Sequence, residues 1–214
     1  MFFNIIFVDK IKMLNDDIYN YGTVERINKL KAVLERRQKS ITVVMENIAD
    51  SHNVSACLRS CDAVGILDIC FVYHSGQSFP TLGEASSASA RKWLGKRKFT
   101  TIEECYNVLR SEGKKIFTTH LSKKSVSLYD LDLTQNVALV FGNEHSGISA
   151  EAVEMADDNF LIPQIGVIQS LNISVACAVS VFEAMRQRQI KGMLEKPELS
   201  EKEIISTLKE WLLK

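Results

Sequence analysis

ITVVMENIADSHNVSACLRSCDAVG (residues 41–65) opens on a short run rich in β-branched residues, passes through a polar loop and then changes period. Residues 41–45 read as a buried strand. From Asn53, a good helix-capping residue, Val54, Cys57, Leu58 and Cys61 recur at helical spacing, and Gly65 closes the helix. A second apolar run, ICFVY (69–73), follows at once. Strand, helix and strand over so few residues is the unit from which parallel sheets are built.

The same alternation extends in both directions. Upstream, Val24, Ile27, Leu30 and Leu34 predict a helix over Thr23 to Lys39. Downstream, residues 75–92 are rich in Ser, Gly and Ala and read as loop or short helix. Thr101 and Glu104 form a capping box for a helix ending at Gly113. The runs KIFTT (115–119), VALVF (137–141) and FLIP (160–163) are further strands, with a short helix near 150–156. A long helix is expected from Ile173 to Gln189, and a second capping box, Ser200 with Glu203, starts a last one. The reading is an α/β fold on a mostly parallel sheet, with a helical extension at each end: residues 21–40 and 193–214 around a domain of 41–192. Residues 1–20 match no element.

Composition narrows the class. Of 214 residues, 46% are hydrophobic and 24% charged, which is ordinary for a globular chain able to bury a core without metal or disulfide. The five cysteines, Cys57, Cys61, Cys70, Cys105 and Cys177, form no C-x-x-C pair and read as core residues of a reduced compartment. Met1 to Val8 is apolar but too short to span a membrane, and its lysines come after it, so we read no targeting segment and expect a cytoplasmic protein. Met13 is a candidate start.

Lys and Arg together equal Asp and Glu, 26 against 26, which argues against coating nucleic acid by bulk charge but leaves local patches open. There are two. Residues 26–39 carry Arg26, Lys29, Lys31, Arg36, Arg37 and Lys39, and residues 91–98 carry Arg91, Lys92, Lys96, Arg97 and Lys98. By charge alone these are solvated faces.

Common cofactor signatures are missing. G142-N-E-H-S-G147 has the glycine spacing of a phosphate-binding loop, but Ile148-Ser149 stands where Lys-Ser/Thr is required, and no G-x-G-x-x-G follows a strand. Three polar, glycine-containing segments nevertheless follow strands, where α/β enzymes place sites. They are residues 46–59, 142–147 and 162–172. On the first, Arg59 lies on the side of the helix away from the apolar stripe.

Taken together these segments resemble the three motifs of the SpoU family of RNA methyltransferases, within the SPOUT superfamily. They appear as N53-V-S-A-C-L-R-S-C-D-A-V-G65, A138-L-V-F-G-N-E-H-S-G147 and residues 162–188 beginning I-P-Q-I-G-V-I-Q-S-L-N. The likeness is greatest to the TrmH group, the tRNA guanosine-18 2′-O-methyltransferases, through E35-R-R-Q38, S87-A-S-A-R-K-W93, T118-T-H-L-S122 and the closing L-K-E-W-L-L. It runs from Tyr21 to Lys214.

The resemblance implies a SPOUT fold with a C-terminal trefoil knot, a homodimer whose site is completed across the interface, S-adenosylmethionine as cofactor and tRNA as partner. It places the cofactor on Gly142, Ile162 and Leu171, largely through backbone groups, with Thr119 at the pocket's edge. Asn53, Arg59, Glu144, Ser170 and Asn172 are the matched polar residues of the catalytic region. No metal or membrane is implied. In this light Arg26, Arg36, Arg37, Arg91 and Lys92 become candidate phosphate contacts on either side of the site. One departure is Gln164, where the third motif usually has methionine, and residues 1–18 have no counterpart. Other expectations are the same chemistry on ribosomal RNA or the anticodon wobble position, or an RNA-binding protein that has lost catalysis.

Overall fold

The computed structural model describes residues 21–74, 90–122, 125–168 and 170–214; the unmatched N-terminal segment, most of the Ser/Gly/Ala-rich stretch and Gln169 lie outside them. Among the described residues the centre is a seven-stranded sheet. Its strands are β1 (Ile41–Glu46), β2 (Asp68–Val72), β3 (Gly95–Phe99), β4 (Lys115–Thr119), β5 (Val126–Ser127), β6 (Val137–Phe141) and β7 (Asp158–Leu161). They lie in the order β3-β2-β1-β6-β4-β7-β5, and every pairing is parallel. β1 and β6 are central and buried along their whole length, as expected of strands covered on both faces. β6 enters between β1 and β4, although β4 precedes it in the chain.

Helices α1 (Val24–Leu34), α2 (Ser51–Ala63), α3 (Ala90–Trp93), α4 (Ile102–Ser111), α5 (Ala150–Met155), α6 (Ile173–Ile190) and α7 (Glu201–Leu212) form the flanking layers. On one face, the stripe Val54, Cys57, Leu58 and Cys61 of α2 meets Cys177, Val181 and Ala184 of α6 over β1 and β6. On the other, Ile102, Cys105, Tyr106 and Leu109 of α4 pack on Val44, Cys70 and Val140. All five cysteines are buried and unpaired. A third cluster joins Ile27 and Leu34 of α1 to Ile204, Leu208, Trp211 and Leu212 of α7, so the two terminal helices cover one another.

Several expectations change in detail. α1 stops at Leu34 instead of running to Lys39, because Gln38 is drawn into a bridge with Ile66. Asn53 does not cap α2. The helix begins at Ser51, and the Asp50 side chain accepts from the His52 N–H at 2.8 Å, which leaves Asn53 inside the first turn with its amide free for other work. β7 begins at Asp158 and ends at Leu161, short of Pro163. The Thr101 box is half formed. Thr101 Oγ1 accepts from the Glu104 N–H, but the Glu104 carboxylate turns to the Thr100 N–H at 3.5 Å. The Ser200–Glu203 box is complete. The basic run 91–98 is no plain surface loop: it contains α3 and the edge strand β3.

Candidate active site

The carboxyl ends of β4, β6 and β7 open into a cavity of about 670 Å³. That is within the roughly 300–1,000 Å³ of small-molecule sites. Gly142, Glu144 and Gly147 line it from the loop after β6, and Ile162, Gln164, Ser170, Leu171 and Asn172 from the segment between β7 and α6. Thr119 closes one edge, its hydroxyl donating to the Val140 carbonyl at 3.1 Å. Phe141 and Phe160, packed edge to face with ring centroids 6.4 Å apart, give it an apolar floor.

The loop after β6 is shaped by its own backbone. Asn143 and Gly147 exchange two N–H···O bonds of 2.9 Å, and Gly147 sits in the left-handed region at φ +71°. A Cβ on Gly142 would lie 2.4 Å from the Gly147 carbonyl and the Ile148 nitrogen, so only glycine lets the loop fold back this closely. The Asn143 carbonyl oxygen of the side chain accepts from the His145 and Ser146 N–H groups, while its amide donates to the Asn47 carbonyl at 2.6 Å. Below, the buried Glu46 carboxylate accepts from the Ser149 N–H at 3.0 Å and pairs with His74 at 3.1 Å. Asn47 and Glu46 therefore tie the loop to β1 and β2. Neither they nor Asn143 were candidates from sequence, although Asn143 follows directly on the motif glycine.

A chain of side chains crosses the polar end of the cavity. The Asn172 amide donates to Asn53 Oδ1 (3.1 Å), and the Asn53 amide donates to Glu144 Oε1 (2.8 Å). The Ala49 N–H reaches Glu144 Oε2 at 3.3 Å. Asn172 Oδ1 is occupied as the N-cap of α6, taking bonds from the Ser174 N–H and hydroxyl. Asn53, Glu144 and Asn172 thus come from three separate motifs into one hydrogen-bonded set. Glu144 also raises the Tyr73 hydroxyl further above its usual range, after burial, the larger cause.

Arg59 is not part of that set. It is exposed on α2 and does not line the cavity of its own chain. Arg37 corrects an expectation. It is 2% exposed, donates to the Ile66 carbonyl at 2.9 Å, pairs with Asp62 and stacks over Trp211 at 5.1 Å. A guanidinium so enclosed joins α1, α2 and α7 and cannot meet a phosphate. Arg26 and Arg36 are exposed, as is Lys92, while Arg91 is half-buried. Arg97 is committed to Asp68 and Glu112.

The model of the SpoU rRNA Methylase family matches residues 40–182 of this chain. The chain belongs to that family. Among known proteins it is similar to the tRNA (guanosine(18)-2′-O)-methyltransferase of Aquifex aeolicus, with 41% identity over 187 residues covering 87% of this chain and 88% of the other. The enzyme of that name from Thermus thermophilus is 39% identical over 192 residues, 90% of this chain and 98% of its own. The crystal structure of the A. aeolicus TrmH/SpoU tRNA modifying enzyme superposes with a TM-score of 0.83 at 40% identity, over 88% of this chain and 95% of that one. The second and third SpoU motifs line the cavity, and the first reaches it through Asn53, which bonds Glu144 and Asn172.

Proposed function

We propose that this SpoU-family chain uses S-adenosylmethionine to methylate the ribose 2′-hydroxyl of guanosine 18 in the tRNA D-loop. The observation that carries the reading is the Asn172–Asn53–Glu144 chain at one end of a cavity that has an apolar floor of Phe141 and Phe160 and, for one wall, the loop from Gly142 to Gly147. Such a lining fits a cofactor with a flat adenine at one end and charged groups at the other. Gly142, Ile162 and Leu171 hold it through backbone groups, with Thr119 at the edge, and Gln164 alters packing at the rim without removing those contacts. When bound, S-adenosylmethionine supplies an electrophilic methyl group.

The protein's own part is to place the hydroxyl in line and assist loss of its proton. Glu144, held on both oxygens, and Asn53 fix the polar wall, and Ser170 and Asn172 border the same space. Arg59 is too strong a cation to act as a base. It lowers the hydroxyl's pKa or clamps the neighbouring phosphate, which then takes the proton.

Because Arg59 is exposed and does not line the cavity of its own chain, it acts in the site of a second copy. A homodimer accords with α6, which leaves Val175 and Phe182 exposed although its other sides are packed, and with the exposed Ile165 and Val167 beside the cavity. The knot implied by the family motifs would lie in the segment from β6 to α6. We place the enzyme in the cytoplasm, with its tRNA; no helix of the described residues is long and apolar enough to cross a membrane. Arg26, Arg36, Arg91 and Lys92 are the phosphate contacts of this reading.

The test is incubation with methyl-labelled cofactor and unmodified tRNA, followed by mapping. Label on the guanosine-18 ribose is expected; label on a base, at the wobble ribose or only in ribosomal RNA rejects the substrate. Arg59→Ala should cut kcat by about a hundredfold or more with cofactor affinity unchanged. Mixing that variant with a Gly142→Ala copy should restore part of the activity through hybrid dimers, and no restoration would place Arg59 in its own chain's site.

A further inference from the structure

The two basic runs are far apart in sequence, and the last helix brings them together. Just before α1, a Cβ built on Gly22 would lie 3.6 Å from the Arg26 side chain and 3.4 Å from Leu212, so Gly22 sets Arg26 and the final turn of α7 around one spot. On the other side of α7, Trp211 packs on Trp93 with ring centroids 5.1 Å apart, and Lys214 Nζ donates to the Lys92 carbonyl at 2.6 Å. Lys96, on the edge strand β3, donates to the neighbouring Arg91 carbonyl at 2.8 Å. Two ammonium groups thus converge on the last carbonyls of α3, the end of a helix that favours cations.

The crowding bears on Lys96. Partial burial lowers its pKa, and the nearby charges of Lys214, Arg91 and Lys98 lower it further. Among the described residues no carboxylate is ion-paired with Arg26, Lys92, Lys96 or Lys214, whereas Lys39 and Arg97 of the same two runs are paired with acids. Like charges held this close repel one another, and a polyanion laid across them removes the repulsion.

We propose that Arg26, Lys92, Lys96 and Lys214 form one phosphate-binding surface, assembled by α7, on which the backbone of the substrate RNA rests away from the reacting ribose. This replaces two patches on either side of the site by a single footprint, and it rests on the RNA-methylation reading above. Its distance from the chemistry follows from register. Lys96 pairs with Ile69 near the amino end of β2, while the cavity is at the carboxyl ends of the strands. The surface therefore contributes to binding and not to the chemical step.

The experiment uses the full chain, with Arg26→Gln/Lys96→Gln/Lys214→Gln as the variant and Lys191→Gln/Lys196→Gln, exposed lysines outside α7, as the control. Lys214→Gln alone guards against misfolding of the triple variant. Filter binding of unmodified tRNA across salt concentrations should give a Kd about tenfold or more higher for the triple variant at 0.1 M salt. Its log–log salt slope should be shallower by about one per lost contact. Cofactor affinity and kcat at saturating tRNA should equal those of the control. Unchanged tRNA affinity and slope overturn the surface while leaving the methylation reading intact. Wild-type protein that binds tRNA without methylating it overturns that reading, and the surface is then still judged by the binding comparison. Loss of binding to phosphatidylserine vesicles, with tRNA binding unaffected, would give the patch to a membrane and overturn the proposal.

Discussion

The two ends of the sheet use buried polar groups in opposite ways. At the amino end Arg188 is fully buried and makes six hydrogen bonds. It reaches the carbonyls of Leu133, Ser40 and Gln135, and the side chains of Gln38, Ser40 and Glu198. Glu198 in turn accepts from the Lys39 and Ser40 N–H groups, and Lys114 donates to the Lys39 carbonyl and to Asn136. These groups bond one another and lock the C-terminal segment to β1 and β6. Ser40, Lys114, Asn136 and Glu198 line a hollow of their own, but Arg188, their hub, is shut off from it. At the carboxyl end Asn53, Glu144 and Asn172 bond one another too, and Glu144 and Asn172 themselves form cavity wall. One network fastens the fold around a buried guanidinium, and the other turns polar atoms toward the cavity.

The largest test of that contrast is Arg188→Ala. It strands carbonyls, a hydroxyl and a carboxylate around a fully buried position, and breaking a buried charged network by removing one partner costs about 3–5 kcal/mol. Urea unfolding should show that loss, with the cofactor affinity of the remaining folded protein unchanged. A loss below about 1 kcal/mol would mean that water already reaches this end, and the contrast would collapse.

Gly142→Ala comes next. Its Cβ would collide with backbone atoms at 2.4 Å, so the loop must open and the Asn143–Gly147 bonds break. Overpacking of this kind costs about 1–3 kcal/mol. The larger consequence should be a drop of tenfold or more in cofactor affinity, read by calorimetry. Affinity equal to wild type would remove the loop's backbone from the pocket. At Asn53→Ala the balance should tip further toward function. Its lost partners border the cavity and can take water, so stability should fall by only about 1 kcal/mol. With the polar wall broken, kcat should fall while cofactor affinity holds; an effect on folding as large as that of Arg188→Ala would make the two networks alike.

Much of the carboxyl end was legible because it combines two local signals, an apolar strand and a glycine- or asparagine-containing exit. Those signals marked three strand exits as sites; the resemblance to the SpoU motifs then named Thr119, Gly142, Glu144, Ile162, Ser170, Leu171 and Asn172, and all seven line one cavity. The amino end was not legible. Nothing local in Q187-R188-Q189 distinguishes a buried arginine from a solvated one, since its partners come from loops elsewhere in the chain. Arg37 misled for the same reason: the run E35-R-R-Q38 shows a cation, and only the packing of α7 shows that Trp211 covers it. The edge strand β3 was missed because GKRKF carries almost no apolar signal, being exposed on most of its positions. Asn53 was taken as a cap because Asp50, Ser51 and Asn53 all suit one, and the choice among them depends on where β1 releases the chain.

The smallest effect belongs to the cap of α7, where the amino-end network meets solvent. Ser200 Oγ accepts from the Glu203 N–H at 3.3 Å, and the Glu203 carboxylate takes bonds from the Ser200 hydroxyl at 2.6 Å and its N–H at 2.7 Å, with Lys39 alongside at 3.0 Å. The Ser200 hydroxyl is the largest cause, followed by its N–H and Lys39, of a Glu203 pKa lowered to about 2. A carboxylate whose pKa is lower in the folded state stabilises the fold above its unfolded value, about 4.3. That contribution is lost as pH falls from there toward 2. Since the Glu203 side chain is 43% accessible, solvent screens the effect and it stays small. Ser200→Ala should cost about 1 kcal/mol at neutral pH, a melting-temperature drop of about 2–4 °C. As pH falls through the window from about 4.5 to 2, the gap between variant and wild type should narrow, because the wild type then loses the bonds that the variant already lacks. Calorimetry at several pH values reads this directly, and a gap independent of pH would show that Glu203 draws nothing from Ser200.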